Sequence, residues 1–155
     1  MKTIIFTDNG TIRVIADSAL GRNCHPWFLP DFGRDWTWHC APALRISRLG
    51  KGVRPEFAAR YVEERTLAWI PQALDNPAAD FMDGALVLGD WIPVGEQGLT
   101  SDERDAIVTT ARFSTIKQGD VLILDSASAT RQPININEKI LLELDGRNVV
   151  DLRIK

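Results

Sequence analysis

The sequence has little cysteine, no long apolar run and no uninterrupted basic run, and each absence excludes a class of protein. Its two cysteines, Cys24 and Cys40, cannot build the disulfide framework of a small secreted domain. No apolar run is long enough to span a bilayer. The N-terminal apolar residues are interrupted at Asp8, which is too early for a secretory signal. These patterns predict a cytoplasmic protein.

Neither sign of charge predominates. Lysine and arginine are interleaved with aspartate and glutamate, and the formal net charge is -3 over 155 residues. Nucleic-acid binding usually needs a clustered positive face, so we expect no nucleic acid and no membrane as partner. A chain of this length can bury one sizeable core, which predicts a single domain over residues 1–155.

Turn residues between β-branched runs predict two hairpins, one at each end of the chain. Residues 2–7 and 11–15 flank an Asn-Gly turn, and residues 139–144 and 149–154 alternate in hydrophobicity about Asp145-Gly146. Further strands are predicted around Leu44, over 85–89 and over 121–124. Pro42 favours a strand edge or a first strand position, because it cannot donate to a ladder.

Two helices are predicted. The first follows Pro55 and ends by Ile70, because Phe57, Ala58, Tyr61 and Ala68 share a face at helical spacing and Pro71 disfavours helix at its predecessor. The second begins at Thr100, which stands at capping-box spacing from Glu103. The pattern indicates an α+β fold that is mostly β, with two short helices.

Several stretches, in order, resemble the fumarylacetoacetate hydrolase family, particularly its compact bacterial members. These stretches are 17–23 and 26–32 (an early cleft segment), 44–51 (a strand and turn), 57–61, 82–85, 116–122 (a "lysine, spacer, glycine, aspartate" turn) and 140–154 (a closing hairpin). The resemblance covers most of the chain and rests on order and spacing. It implies a coiled β-sheet roll and a family habit of forming dimers.

The resemblance also implies a chemistry. Family members cleave, decarboxylate or isomerise β-dicarbonyl and related acids, with Mg²⁺ or Ca²⁺ held by a Glu-x-Glu pair and an aspartate, together with a lysine. On this sequence the Glu-x-Glu positions fall on His39 and Ala41, the aspartate on Ile70 and the lysine on Asp80. The Gly-Thr-Pro loop of the family is replaced by residues 125–128.

Alanine and isoleucine cannot bind a hard cation, so the resemblance implies a short, catalytically degenerate member: a pseudoenzyme with no catalytic residue, no metal site and no cofactor. We expect a small-molecule binding module or a protein-interaction module that forms a homodimer or pairs with an active relative. The alternative is a metal-dependent hydrolase or lyase of β-dicarbonyl acids with a rebuilt site, which would need Mg²⁺ or Ca²⁺. A vestigial protein, the third possibility, would have no well-formed pocket.

Aromatic residues in an irregular, proline-rich stretch are the candidates for a ligand pocket or dimer face. They are Trp27, Phe28, Trp36 and Trp38. Core packing is the competing explanation for the same residues.

Three other sets of residues point to chemistry more weakly. A zinc site from Cys24, His25, His39 and Cys40 matches no usual spacing. The carboxylates of Glu63, Glu64, Asp80 and Asp83 show no paired arrangement, and Ser126 and Ser128 lack the strand-serine-helix context of a nucleophile. We assign no role to these sets.

Overall fold

A computed structural model describes residues 1–155. Its first six strands are β1 (Thr3–Thr7), β2 (Ile12–Ile15), β3 (Leu20–Gly21), β4 (Pro26–Trp27), β5 (Arg34–Ile46) and β6 (Val62–Leu74). The remaining strands are β7 (Leu86–Leu88), β8 (Ile92–Pro93), β9 (Val121–Asp125), β10 (Gln132–Pro133), β11 (Lys139–Leu144) and β12 (Arg147–Ile154). The helices are α1 (Ser101–Phe113) and two 3₁₀ helices, Asp17–Ala19 and Pro55–Tyr61.

Nine strands form one large curled sheet in the order β2-β1-β9-β5-β6-β7-β3, with β10 added to β5 and β8 added to β6. Strand β1 pairs antiparallel with β2 and parallel with β9. The predicted fold class, α+β and mostly β, is therefore confirmed, and its two longer helical elements are α1 and the 3₁₀ helix Pro55–Tyr61. No helix is both long and apolar enough to cross a membrane.

The closing hairpin forms its own sheet, in the order β11-β12-β4. Asp145 and Gly146 both have positive φ angles, as the predicted tight turn requires. The hairpin packs against the large sheet at Gly89, where an added Cβ would lie only 2.6 Å from the Val149 carbonyl oxygen. Asp90 then donates its backbone N–H to that oxygen at 2.7 Å.

Two apolar cores lie against the large sheet. The larger one includes Ile5 and Ile123 of the sheet and Val150 and Leu152 of the closing hairpin. The smaller one lies under α1, whose Ile107 is fully buried among sheet residues such as Ile4, Leu44 and Leu122. Helix α1 begins as predicted, because the Thr100 hydroxyl accepts the Glu103 backbone N–H at 3.1 Å.

The predicted helix over 55–70 is wrong beyond Tyr61. Residues 55–61 form a 3₁₀ helix, and Val62–Leu74 is a strand that pairs with β5 along nearly its whole length. Long-range pairing with β5 overrides helical spacing, and β-branched and aromatic residues such as Val62, Thr66 and Trp69 suit a pleated surface. Ala68 therefore lies in the sheet, opposite Ala41.

Pro42 is neither at a sheet edge nor at the first position of its strand, although its residue type predicts one of these places. It lies in the middle of β5, opposite Leu67 of β6. On the other side of β5, β10 pairs with residues 37–38 and β9 with residues 43–45. Pro42 thus falls between two neighbouring strands, where β5 lacks a partner on that side and a missing N–H breaks no ladder bond.

Candidate functional site

The positions matched to the family's metal ligands do come together in the structure. His39 of β5 lies directly opposite Ile70 of β6, and Ala41 lies opposite Ala68. His39 and Ala41 are two residues apart on one strand, so they share a face of the sheet. Ile70 presents only hydrocarbon there and is 3% exposed.

His39 is engaged by a carboxylate that the sequence did not indicate. Its Nε2 lies 2.7 Å from Oδ1 of Asp125, and both side chains are buried. The Ser126 backbone N–H donates to the same oxygen at 2.8 Å. The other imidazole nitrogen, Nδ1, is buried without a hydrogen-bond partner.

The pKa of Asp125 is set by opposing influences. Burial alone raises the pKa of this carboxyl group. The hydrogen bond and charge of His39, the Ser126 N–H and the nearby charge of Arg13 lower it, and together they prevail, so the pKa lies below its ordinary value. Asp125 is thus held as a carboxylate at the end of β9, beside β5.

These residues do not fit the divalent cation that the resemblance implies. Mg²⁺ and Ca²⁺ require several oxygen ligands, whereas the matched positions supply one imidazole, a methyl group and an aliphatic chain. No group of three or more histidine, cysteine, aspartate or glutamate side chains converges anywhere in the chain to hold a metal ion. No step of a reaction is therefore assigned to a metal at this position.

A cleft of about 290 Å³ opens beside Ile70. Its apolar wall includes Ile5, Ile15 and Ile70, and Arg13, Gln72 and Arg131 are among its polar lining residues. The side-chain oxygen of Gln72 is buried and has no hydrogen-bond partner within the protein. The lining is divided about equally between apolar and other residues, and the carboxylate of Asp35 is part of it. A concave site with convergent polar groups is a candidate small-molecule site, and a vestigial protein would not be expected to have one.

Asp80, at the position matched to the catalytic lysine, forms an ion pair with Arg13. Arg13 Nη1 lies 3.1 Å from Asp80 Oδ1, and both side chains are partly exposed. The acidic and basic partners are 67 residues apart in sequence. The pair brings a cation to the cleft from β2, although the matched position itself carries an acid.

The four aromatic candidates divide into buried and exposed residues. Trp27 and Trp38 are 5% and 7% exposed and both contact Trp69, with Trp27 in an edge-to-face arrangement. Trp36 is half-buried, and Phe28 is 70% exposed. Within one chain, Trp27 and Trp38 therefore belong to the core, whereas Phe28 and the open side of Trp36 remain available for contact.

The weaker candidates acquire no shared site. Cys40 is exposed beside buried His39 on β5, and both cysteines are free thiols. Glu64 forms an ion pair with Arg45. The Ser126 hydroxyl donates to Asp8 at 2.8 Å, and neither histidine ring forms a hydrogen bond with it. The Ala127 N–H and this hydroxyl lower the pKa of Asp8, so the loop is held by a carboxylate.

Comparison with solved structures identifies the fold. A protein described as a fumarylacetoacetate hydrolase family member, from Yersinia pestis CO92, matches 99% of this chain and 92% of its own at a TM-score of 0.80 and 16% identity. Maleylpyruvate hydrolase from Sphingobium sp. SYK-6, solved with manganese(II) and pyruvate, matches 99% of this chain and 70% of its own, with a TM-score of 0.82 and 17% identity. Fumarylpyruvate hydrolase from Pseudomonas aeruginosa, solved with Mn²⁺ and pyruvate, matches 99% of this chain and 89% of its own, with a TM-score of 0.81 and 11% identity.

The chain therefore has the fold of fumarylacetoacetate hydrolase family proteins, as the order of its sequence segments predicts. No family model and no curated protein matches the sequence itself.

Four residues of this region were missed by sequence reasoning: Arg13, Gln72, Asp125 and Arg131. Arg13 carried a usable signal, because a charged residue stands between apolar neighbours in a predicted strand. Asp125 gave none, since aspartate after a strand is ordinarily a turn residue. Its partner His39 lies 86 residues away in sequence, and only the pairing of β5 with β9 brings the two together.

Proposed function

We propose that this chain, which has the fumarylacetoacetate hydrolase fold, is a non-catalytic binding protein for a small organic acid. The observation that carries the proposal is the cleft beside Ile70, in which arginine side chains are present and the matched metal ligands are replaced. Both cysteines are unpaired, which agrees with a reducing compartment such as the cytoplasm.

The matched positions lack a cation that would stabilise the charge developed in cleavage. Cleavage of a β-dicarbonyl acid develops an enolate, and in the family a divalent cation stabilises that charge. Here Ile70 and Ala41 offer no ligand, and His39 is committed to Asp125 at 2.7 Å. Nothing at this position compensates for a developing anion as strongly as a metal ion would.

The arginine side chains of the cleft favour an acid as the ligand. Arg131 lines the cleft, is exposed and takes part in no ion pair within the chain. A free guanidinium pairs well with a carboxylate, because its planar donors match the two oxygens. The isoleucine wall would contact the carbon skeleton, and Gln72 would supply a directional hydrogen bond.

Pyruvate, present in two of the similar solved structures, is a suitable probe. We expect saturable binding by isothermal titration calorimetry in buffer containing a metal chelator. Arg131→Ala should weaken binding about tenfold, the effect of losing a charged hydrogen bond of roughly 1.5 kcal/mol. Arg147→Ala, at an exposed position of the closing hairpin, is the matched control and should leave binding unchanged.

Two results would contradict the proposal. Absence of pyruvate binding up to about 10 mM would show that the cleft does not hold a small acid, since such affinity is worth under about 3 kcal/mol. Manganese-dependent hydrolysis of maleylpyruvate would instead support the alternative, an enzyme with a rebuilt metal site.

A further inference from the structure

One end of the molecule is positively charged, although the chain as a whole has a negative net charge. Residues 48–60 contain four cations and one acid, and residues 112–117 contain two cations and no acid. Their combined charge is five positive, in a chain whose net charge is -3. The six cations, here called the basic end, are Arg48, Lys51, Arg54, Arg60, Arg112 and Lys117.

Backbone contacts join the two segments into one surface. Gly50 and Ile116 form an antiparallel bridge, with N–O distances of 3.0 and 2.9 Å. The Gly52 N–H donates to the Ala111 carbonyl at 2.9 Å. The 3₁₀ helix over 55–61 also packs against α1. Charges that are 60 residues or so apart in sequence are therefore neighbours in space.

The cations of the basic end are all exposed and none forms an ion pair. Elsewhere in the chain, several cations are neutralised in place, as in the pairs of Lys2 with Asp120 and Arg34 with Asp75. Unpaired like charges held together repel one another and destabilise a fold. Such a cluster suits a surface whose opposite charge comes from outside the chain.

Apolar side chains lie among these cations. Leu49 is 70% exposed and Phe113 is 69% exposed. The Phe57 ring is partly exposed and has the Arg60 guanidinium stacked over it, 4.5 Å from its centroid. Exposed leucine and phenylalanine bordered by arginine is the composition that protein interfaces favour.

We propose that the basic end docks an acidic, partly apolar segment of another protein. Four of its six cations are arginines, whose planar forks bind carboxylates in pairs. A single-stranded nucleic acid would need several open aromatic faces for successive bases, whereas Phe113 alone offers one here, because the Phe57 ring is covered by Arg60. A second copy related by a two-fold axis through this surface would oppose like charges. The surface is separate from the cleft, so the proposal does not depend on acid binding there.

The test uses the full chain and a fluorescein-labelled peptide that alternates Glu-Glu with Leu-Phe. We expect anisotropy titrations to show binding that weakens as salt rises from about 50 to about 300 mM, because exposed charges are screened. The double variant Arg48→Glu/Lys51→Glu should weaken binding about tenfold or more. Leu49→Ser should also weaken binding, which a purely ionic contact would not predict.

The matched control is Arg147→Glu/Arg153→Glu, which makes the same charge change at exposed positions of the closing hairpin. It should bind the peptide within about twofold of the wild type, since screening limits the reach of exposed charges to roughly 10 Å. Equal loss in the control, or binding of polyuridylate or of phosphatidylserine vesicles more tightly than of the peptide, would overturn the proposal. Circular dichroism of each variant verifies that it is folded.

Discussion

At the scale of single residues, His39 and Asp125 form a buried contact between side chains of β5 and β9. The Nε2–Oδ1 distance is 2.7 Å and both groups are almost fully enclosed. Removing one partner of a buried pair leaves the other desolvated without compensation, which is more costly than removing both. The pair is therefore expected to be strongly coupled.

We predict that His39→Leu lowers the free energy of unfolding by about 3 kcal/mol, because Asp125 loses its main partner. Adding Asp125→Asn should recover part of this loss, since a neutral amide oxygen still accepts the Ser126 N–H. Urea unfolding of the wild type, both single variants and the double variant measures the coupling. If the losses in free energy of unfolding of the two single variants add up to that of the double variant, the pair contributes nothing beyond its separate groups.

The same pair predicts the direction of a pH dependence. The pKa of Asp125 is lower in the folded chain than its ordinary value of 3.8, so the unfolded chain binds this proton more readily. The stabilisation is fully present above that ordinary value and is lost as pH falls through the folded pKa. The stability difference between the wild type and Asp125→Asn should therefore shrink below about pH 4.

At the scale of elements, local signals were sufficient where the structure depends on neighbours in sequence. The closing hairpin follows from alternation about Asp145-Gly146, and α1 follows from its capping residues. Strand β6 could not be predicted in this way, because its helical spacing is overruled by a partner strand that ends sixteen residues earlier, at Ile46. The cleft and the basic end are likewise assembled from distant segments, so their residues carry little local signal.

Helix α1 gives the prediction at this scale. Thr100→Ala should destabilise the protein by about 1 kcal/mol, because the Glu103 N–H then loses its acceptor at the helix N-terminus. The control is Ser101→Ala, an exposed first-turn position whose hydroxyl makes no hydrogen bond within the chain. Thermal and urea unfolding should separate the two variants. An equally small effect of both would mean that the cap does not stabilise the helix.

At the scale of the whole molecule, exposed aromatic side chains mark the surface where we expect a second copy of the chain to bind. Phe28 is 70% exposed, and Phe32 packs edge-to-face on Trp36. A two-fold dimer needs one self-complementary patch, and aromatic anchors commonly dominate such patches. None of these aromatic residues belongs to the basic end.

We predict a homodimer whose contact includes at least one of the four aromatic candidates, with Phe28 and Trp36 the accessible ones. Truncating a central anchor, Phe28→Ala or Trp36→Ala, should cost about 2 kcal/mol of association free energy, roughly thirtyfold in Kd. Phe81→Ala, at another exposed phenylalanine, is the control. Sedimentation of the wild type and the variants at matched concentrations is the measurement. A wild type that stays monomeric at roughly tens of micromolar would contradict the homodimer.

The parallel pairing of β1 with β9 has a consequence for how the chain is made. Thr3 pairs with Val121, so the first strand must wait for a partner that the ribosome adds more than a hundred residues later. Synthesis at about 5–20 residues per second makes this delay roughly several seconds to half a minute. During that interval the N-terminal hairpin has an unpaired edge, which is the kind of surface that molecular chaperones protect. Translation speed should thus influence the yield of correctly folded protein.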